Sequence, residues 1–220
     1  MYKNYMNKLR VLIIFMTIFS STGATGGTPE QRFWKWFEKN QAKVFNFEVD
    51  RERIFDKLSG EMKKVNPDLT FEFGPVMKNG VREFVISAGG IKTAFSFVES
   101  LYNSAPKLDK WKIVKFRPRR IPLNDIEYGG KSISVKDVHF QMFKDGAKVG
   151  IVLFFNGYNE KEHDIFGNIG FLLLDEALGE FDIETKVGFI EFHNRESKLF
   201  QGARPLSQLS STFDNYINSK

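Results

Sequence analysis

The chain contains no cysteine in 220 residues. Disulfides, thiolate metal sites, iron–sulfur clusters and a cysteine nucleophile are therefore excluded. The compartment stays open, because a chain this long buries roughly 70% of its unfolded surface and folds without staples. Histidine is scarce, with only His139, His163 and His193. No apolar run reaches the ~20 residues that cross a bilayer as a helix. The G-x-S-x-G elbow, the phosphate-cradling G-x-x-x-x-G-K-[ST] loop, H-E-x-x-H and the dinucleotide fingerprint are all missing. No cofactor is expected, and the prior for an enzyme falls without vanishing. What remains, 42% hydrophobic and 27% charged residues, belongs to neither a disordered chain nor a multi-span membrane protein.

The charge balance is 32 − 27 = +5. Lys3, Lys8 and Arg10 supply three of those charges, and without them 5 − 3 leaves +2. So thin a basic footprint disfavours nucleic acid as a partner. The same three residues precede an apolar run, Val11 to Phe19, and then small residues from Ser20 to Gly27. That order is the one a secretory signal peptide has. It predicts export to the periplasm or the medium, with cleavage after Gly23 or Ala24 and a single folded domain over residues 28–220. The alternative is a short amphipathic or buried helix in a cytoplasmic protein.

Thr28-Pro29-Glu30-Gln31 predicts a capping box that opens a helix to about Phe45, with Phe33, Trp36, Phe37 and Val44 inward. Asp50 is expected to cap a second helix, carrying Ile54, Leu58, Met62 and Val65. Leu69–Phe73 and Val81–Ala88 read as a hairpin through Lys78-Asn79-Gly80. After Gly89-Gly90, the positions Ile91, Ala94, Phe95, Val98, Leu101, Tyr102 and Ala105 share one helical face, and Trp111–Phe116 reads as a strand. Arg117 to Pro122 is a connector with two prolines. A short strand pair around Gly129-Gly130 is one reading of the segment from Leu123 to Lys136.

A second hairpin follows, with Val138–Phe143 and Lys148–Phe155 around Lys144-Asp145-Gly146. Asn156-Gly157 breaks the strand. The next helix presents Phe166, Ile169, Gly170, Leu173, Leu174 and Ala177, widened by Phe171 and Leu172. Apolarity over so much of its surface predicts burial on more than one side. Gly179 ends it, Val187–Phe192 is a strand, and Pro205 is expected to start a final helix. Residues 69–116 and 138–192 thus repeat one order, which suggests an internal duplication. The predicted fold is α+β: two tandem ββαβ units forming mainly antiparallel sheet, helices packed on it, and extra helices at both termini. The groove between the halves is the default place for a ligand.

Four groups of residues could carry chemistry. Glu160 and His163 stand at i, i+3 in the most compact cluster of metal-capable side chains, beside Glu162. The pattern is not repeated as paired-metal sites require, so no metal is expected, and an acidic loop at a helix N-terminus is the simpler reading. Asp175 and Glu176 sit late in a helix, where negative charge is unfavourable. They could serve as acid and base or answer a structural cation. Arg117, Arg119 and Arg120 form the densest basic cluster and suit an anion or a partner protein, against a solvated linker with one internal salt bridge. The run Phe33-Trp34-Lys35-Trp36-Phe37 reads as core or as a partner surface, since four aromatics in five residues cannot all face one side of a helix.

Three stretches also carry a likeness: Phe33-Trp34-Lys35-Trp36-Phe37; Pro67 to Gly74 leading to Glu83-Phe84-Val85-Ile86-Ser87-Ala88-Gly89-Gly90; and Leu172 to Glu180. They resemble an uncharacterised bacterial family of hypothetical proteins, over most of the chain after about residue 30. The resemblance implies no activity and no catalytic residue. The functional expectation is a non-enzymatic binding or interaction domain exported to the bacterial envelope, its ligand near the junction of the two units and contacted by Arg117, Arg119 and Arg120. A hydrolase using Glu162, His163 or the Asp175/Glu176 pair is one alternative, and a cytosolic nucleic-acid-binding or regulatory protein is the other.

Overall fold

A computed structural model describes residues 26–219. Residues 1–25, which hold most of the expected signal peptide, lie outside the described residues. The fold is α+β, with helices at both ends and helices packed on mostly antiparallel sheets.

Helix α1 (Pro29–Phe45) opens on the expected capping box: Gln31 N–H donates to Thr28 Oγ1 and Thr28 N–H to Gln31 Oε1. Its buried stripe is Phe33, Trp34, Phe37 and Val44. Trp34 takes the place that the sequence reading gave to Trp36, because its indole N–H donates 2.8 Å to Leu101 O, 67 residues away. That partner satisfies the polar edge of a buried ring. Helix α2 (Arg51–Lys63) buries Leu58 and Met62. Asp50 does not cap it through its side chain, which pairs with Arg53 instead.

Strand β1 (Thr70–Val76) pairs antiparallel with β2 (Arg82–Ser87), and β2 pairs parallel with β3 (Trp111–Lys115). Helix α3 (Phe95–Asn103) makes the crossover. A 3-10 turn precedes it, so Ile91 stands exposed rather than on the buried face. The connector leads to a small hairpin, β4 (Ile126–Tyr128) and β5 (Lys131–Ile133). Gly129 and Gly130 both hold positive φ there, as a two-residue turn that matches strand twist requires.

The second unit repeats the pairing senses of the first. Strand β6 (His139–Asp145) is antiparallel to β7 (Lys148–Phe155), and β7 is parallel to β8 (Val187–Asn194). The turns differ. The first hairpin closes through Lys78-Asn79-Gly80, with Gly80 N–H on Met77 O and Val81 N–H on Asn79 Oδ1. The second pairs Asp145 with Lys148, so Lys144 and Asp145 belong to the strand and the turn is Gly146-Ala147.

The crossover is α4 (His163–Leu178) followed by a helix that the sequence did not announce, α5 (Glu180–Lys186). Pro205 starts no α-helix directly: it is the N-cap of a 3-10 turn, Leu206–Gln208, that runs into the last helix. With Arg204 it forms β9 (Arg204–Pro205), a two-residue edge on β6, where a missing N–H is tolerated. Helix α6 (Leu209–Asn218) closes the chain.

Each unit has its own core. The first is centred on Phe33, Phe37, Phe84 and Trp111, and the second on Ile151, Leu153, Leu173 and Leu174. Burial of these side chains stabilises each by ~1.5–3 kcal/mol. Helix α4 buries one face only. Phe171 is 51% and Leu172 43% exposed, so the apolar excess lies open rather than under a second layer. Among the described residues no helix is long and apolar enough to cross a membrane.

Candidate site at the junction of the two units

The connector is the seam between the halves. It starts with a strained residue: Phe116 has φ of 60°, sparsely allowed for a bulky side chain. Packing holds it there, with ring centroids 4.5 Å from Phe95 and 5.2 Å from Phe181, and Phe116 N–H donates 2.7 Å to Ile86 O. Strain of this kind persists only where its surroundings over-determine it. Here it turns the chain out of β3 and aims the next backbone N–H at the second unit.

That N–H meets Glu180, the first residue of α5, which is fully buried. One carboxyl oxygen accepts from Ala88 N–H at 2.9 Å and Gly90 N–H at 3.0 Å, and the other from Arg117 N–H at 3.0 Å. Glu180 N–H returns a bond to Arg117 O. A buried carboxyl group is tolerated only when so satisfied, and two of its three bonds reach into the first unit and the third into the connector. Gly179, with φ of 78°, makes the bend that delivers it. A Cβ there would stand 3.1 Å from Arg117 O.

All three connector arginines are ion-paired. Arg117 pairs with Asp175, and its Nε lies 3.9 Å from Glu72, an ionic approach rather than a hydrogen bond. Arg119 donates to Leu178 O, Asp214 and Asp182. The hydrogen bond to Asp214, then that to Asp182, holds its pKa above the ordinary value despite burial, and Arg119 in turn lowers that of Asp214. Arg120 pairs with Glu72 at 2.9 Å and donates its backbone N–H to Glu176 O. Glu176 also accepts from Asn124. Of the two carboxylates late in α4, that of Asp175 thus answers the connector, while that of Glu176 is taken by Asn124 just beyond it.

The Glu160–His163 spacing converges on a hydroxyl. Tyr158 Oη lies 2.8 Å from His163 Nδ1 and 3.2 Å from Glu160. Burial, then Glu160, raises the Tyr158 pKa. Glu162 turns away to Lys131 and Asn159. Among the described residues no group of three or more potential ligands is placed to hold a metal ion.

Beside Arg117 lies a cleft of about 300 Å³. Gly89 and Gly90 of the first unit form one wall, and Tyr128, Phe171 and Leu172 form an apolar one. Asp175 and Glu184 bring carboxylates to it. Arg117 offsets Asp175, and Glu184 has no hydrogen-bond or ion-pair partner among the described residues. Burial raises the pKa of both: for Asp175 it outweighs the pull of Arg117, and for Glu184 the nearby Asp175 and Glu180 add to it.

Glu184 escaped the sequence reading because it belongs to no local motif. The exposed pair Phe171 and Leu172 was the one available signal, and it was read as core. No protein-family model, no curated protein and no solved structure matches this chain.

Proposed function

We propose that this protein is a non-enzymatic ligand-binding module whose site is the cleft at the junction of its two units. The single observation that carries the reading is the composition of that cleft. Residues from both units and the connector meet there, with an exposed apolar wall and a carboxylate, Glu184, that no hydrogen bond or ion pair among the described residues holds, Lys148 and Lys92 acting on it only at longer range. Its charged lining sums to one net negative charge, Arg117 against Asp175 and Glu184. The ligand class that fits is an amine with an apolar body, free or as a basic side chain of a partner protein. The ammonium would pair with Glu184 and the body would lie on Phe171 and Leu172. Of the connector arginines only Arg117 lines this cleft; Arg119 and Arg120 do not. The charged-then-apolar order of residues 1–27 supports an exported protein, for which N-terminal sequencing of the cell-fractionated protein is the test.

Calorimetric titration with phenethylamine and phenylacetate tests the ligand class. Phenethylamine should bind, Glu184→Gln should weaken it about tenfold, and phenylacetate should not bind. Binding of phenylacetate that is lost on charge reversal of Arg117, Arg119 and Arg120 would instead support an anion site on the connector.

A second reading rests on the raised pKa values of Asp175 and Glu184 in one cleft, which suit a general acid. It predicts hydrolysis that Glu184→Gln abolishes; a panel of glycoside, ester and phosphate substrates left uncleaved would remove it.

A further inference from the structure

Away from the junction, helices α1 and α2 and the link between them line a groove of about 400 Å³. That volume falls within the ~300–1,000 Å³ of small-molecule sites. Its apolar lining comes from Trp36, Val44 and Ile54, with Val49, 86% exposed, at the mouth. Val49 is the most exposed large hydrophobic residue described, and among the described residues nothing covers it.

The charges around this apolar lining are not balanced. Arg53 is answered by Asp50 at 2.5 Å. Lys43 and Lys57, one on each helix, line the same groove and have no ion-pair or hydrogen-bond partner among the described residues. Both lysines are exposed, and their stems can cover apolar surface while the ammonium groups stay in water. An apolar channel flanked by two unanswered cations is complementary to one chemical form, an apolar body that ends in an anion. A neutral body would leave the lysines unused, and a cation would be repelled by both.

We propose that the α1–α2 groove is a second binding site, for a single-chain amphiphilic monoanion. The alkyl or aryl body lies along Trp36, Val44 and Ile54, and the carboxylate lies between Lys43 and Lys57. This site is independent of the junction cleft, shares no residue with it and prefers the opposite charge.

Decanoate, kept below its micelle concentration, is the probe, with 1-decanol and decylamine as the neutral and cationic bodies of the same length. The full chain is titrated by calorimetry and by tryptophan fluorescence. Decanoate should bind one to one and perturb the emission, and Trp36→Phe should abolish that change while Trp34 and Trp111 still emit. The double variant K43E/K57E should bind decanoate about tenfold more weakly and decylamine more tightly. Val49→Asp, at a position too exposed to disturb folding, should weaken decanoate as well.

Equal affinity for decanoate and decanol would overturn the proposal. So would decanoate binding that K43E/K57E and Val49→Asp leave intact, or uptake only above the micelle concentration.

Discussion

The two ββαβ units agree in strand order and pairing sense and differ in what fills them. In the first, rings pack on rings: Phe37 and Phe84 stack at 5.1 Å, and Trp111 meets Phe37 edge-on at the same distance. In the second, aliphatic side chains of β7 and α4 dominate. The segments after the central strands diverge further. Ala88 and Gly90 offer their backbone N–H groups to a carboxyl group of the other unit. Asn156 to Tyr158 stays at home, with Asn194 Nδ2 donating to Tyr158 O and His163 at the tyrosine hydroxyl. Topology therefore tolerates two core chemistries, while the position after the central strand is where the backbone hydrogen bonding of the two units differs.

The largest expected effect comes from cutting the tie between them. Glu180→Ala leaves three backbone donors without their acceptor and should cost roughly 3–9 kcal/mol at ~1–3 kcal/mol per buried unsatisfied group. All three tryptophans lie in or against the core of the first unit, Trp111 on β3 and Trp34 and Trp36 on helix α1, which packs there. Urea unfolding followed by tryptophan fluorescence and by far-ultraviolet circular dichroism should coincide for the parent chain and separate for this variant. Coincident curves in the variant would show that the units cooperate through something other than Glu180.

Next come the cores themselves. Phe84→Ala in the first unit should cost ~3–5 kcal/mol and Leu153→Ala in the second ~2–5 kcal/mol. The decisive quantity is which probe moves. If the units are coupled, both variants lower both transitions. If Leu153→Ala shifts the dichroism alone, the comparison sharpens into two separately stable halves.

Gly179→Ala is a smaller perturbation of the seam. A side chain at φ of 78° costs ~1–2 kcal/mol, and its Cβ would press on Arg117 O. An equilibrium denaturation midpoint equal to that of the parent would show that the bend can be made otherwise.

The smallest effect concerns pH. A carboxyl group whose pKa rises on folding holds its proton more tightly in the folded chain. Stability therefore falls as pH climbs from the ordinary glutamate range through the raised value, and the deficit persists at neutral pH. Glu184→Gln removes that penalty and should stabilise the chain at pH 7 by less than about 1 kcal/mol, since solvent screens a partly exposed group. Its stability profile should lose the corresponding slope. Destabilisation instead would mean that Glu184 already has a structural partner.

Periodicity made most of the fold legible. The capping box at Thr28, both hairpins and the apolar faces of α1, α3 and α4 are local patterns, and local patterns survive without knowledge of the partner. The failures are non-local. Trp34 is buried because of a carbonyl 67 residues on. Helix α5 is seven residues long and too short to show a period. Gly89-Gly90 reads as a strand break, which it is, yet its second role depends on a carboxyl group 90 residues later. At the candidate site, Asp175 and Arg117 were singled out as a possible acid and a basic edge. That each is the other's counter-ion was beyond spacing alone.

The clamp at Glu180 also fixes an order of events during synthesis. Its acceptor is made 63 residues after the last of its donors, Arg117. At roughly 5–20 residues per second, the first unit must wait about 3–13 s with Ala88, Gly90 and Arg117 hydrogen-bonded to water alone. The amino-terminal half thus leaves the ribosome with an open socket, and the nascent chain seals itself only when its second half arrives.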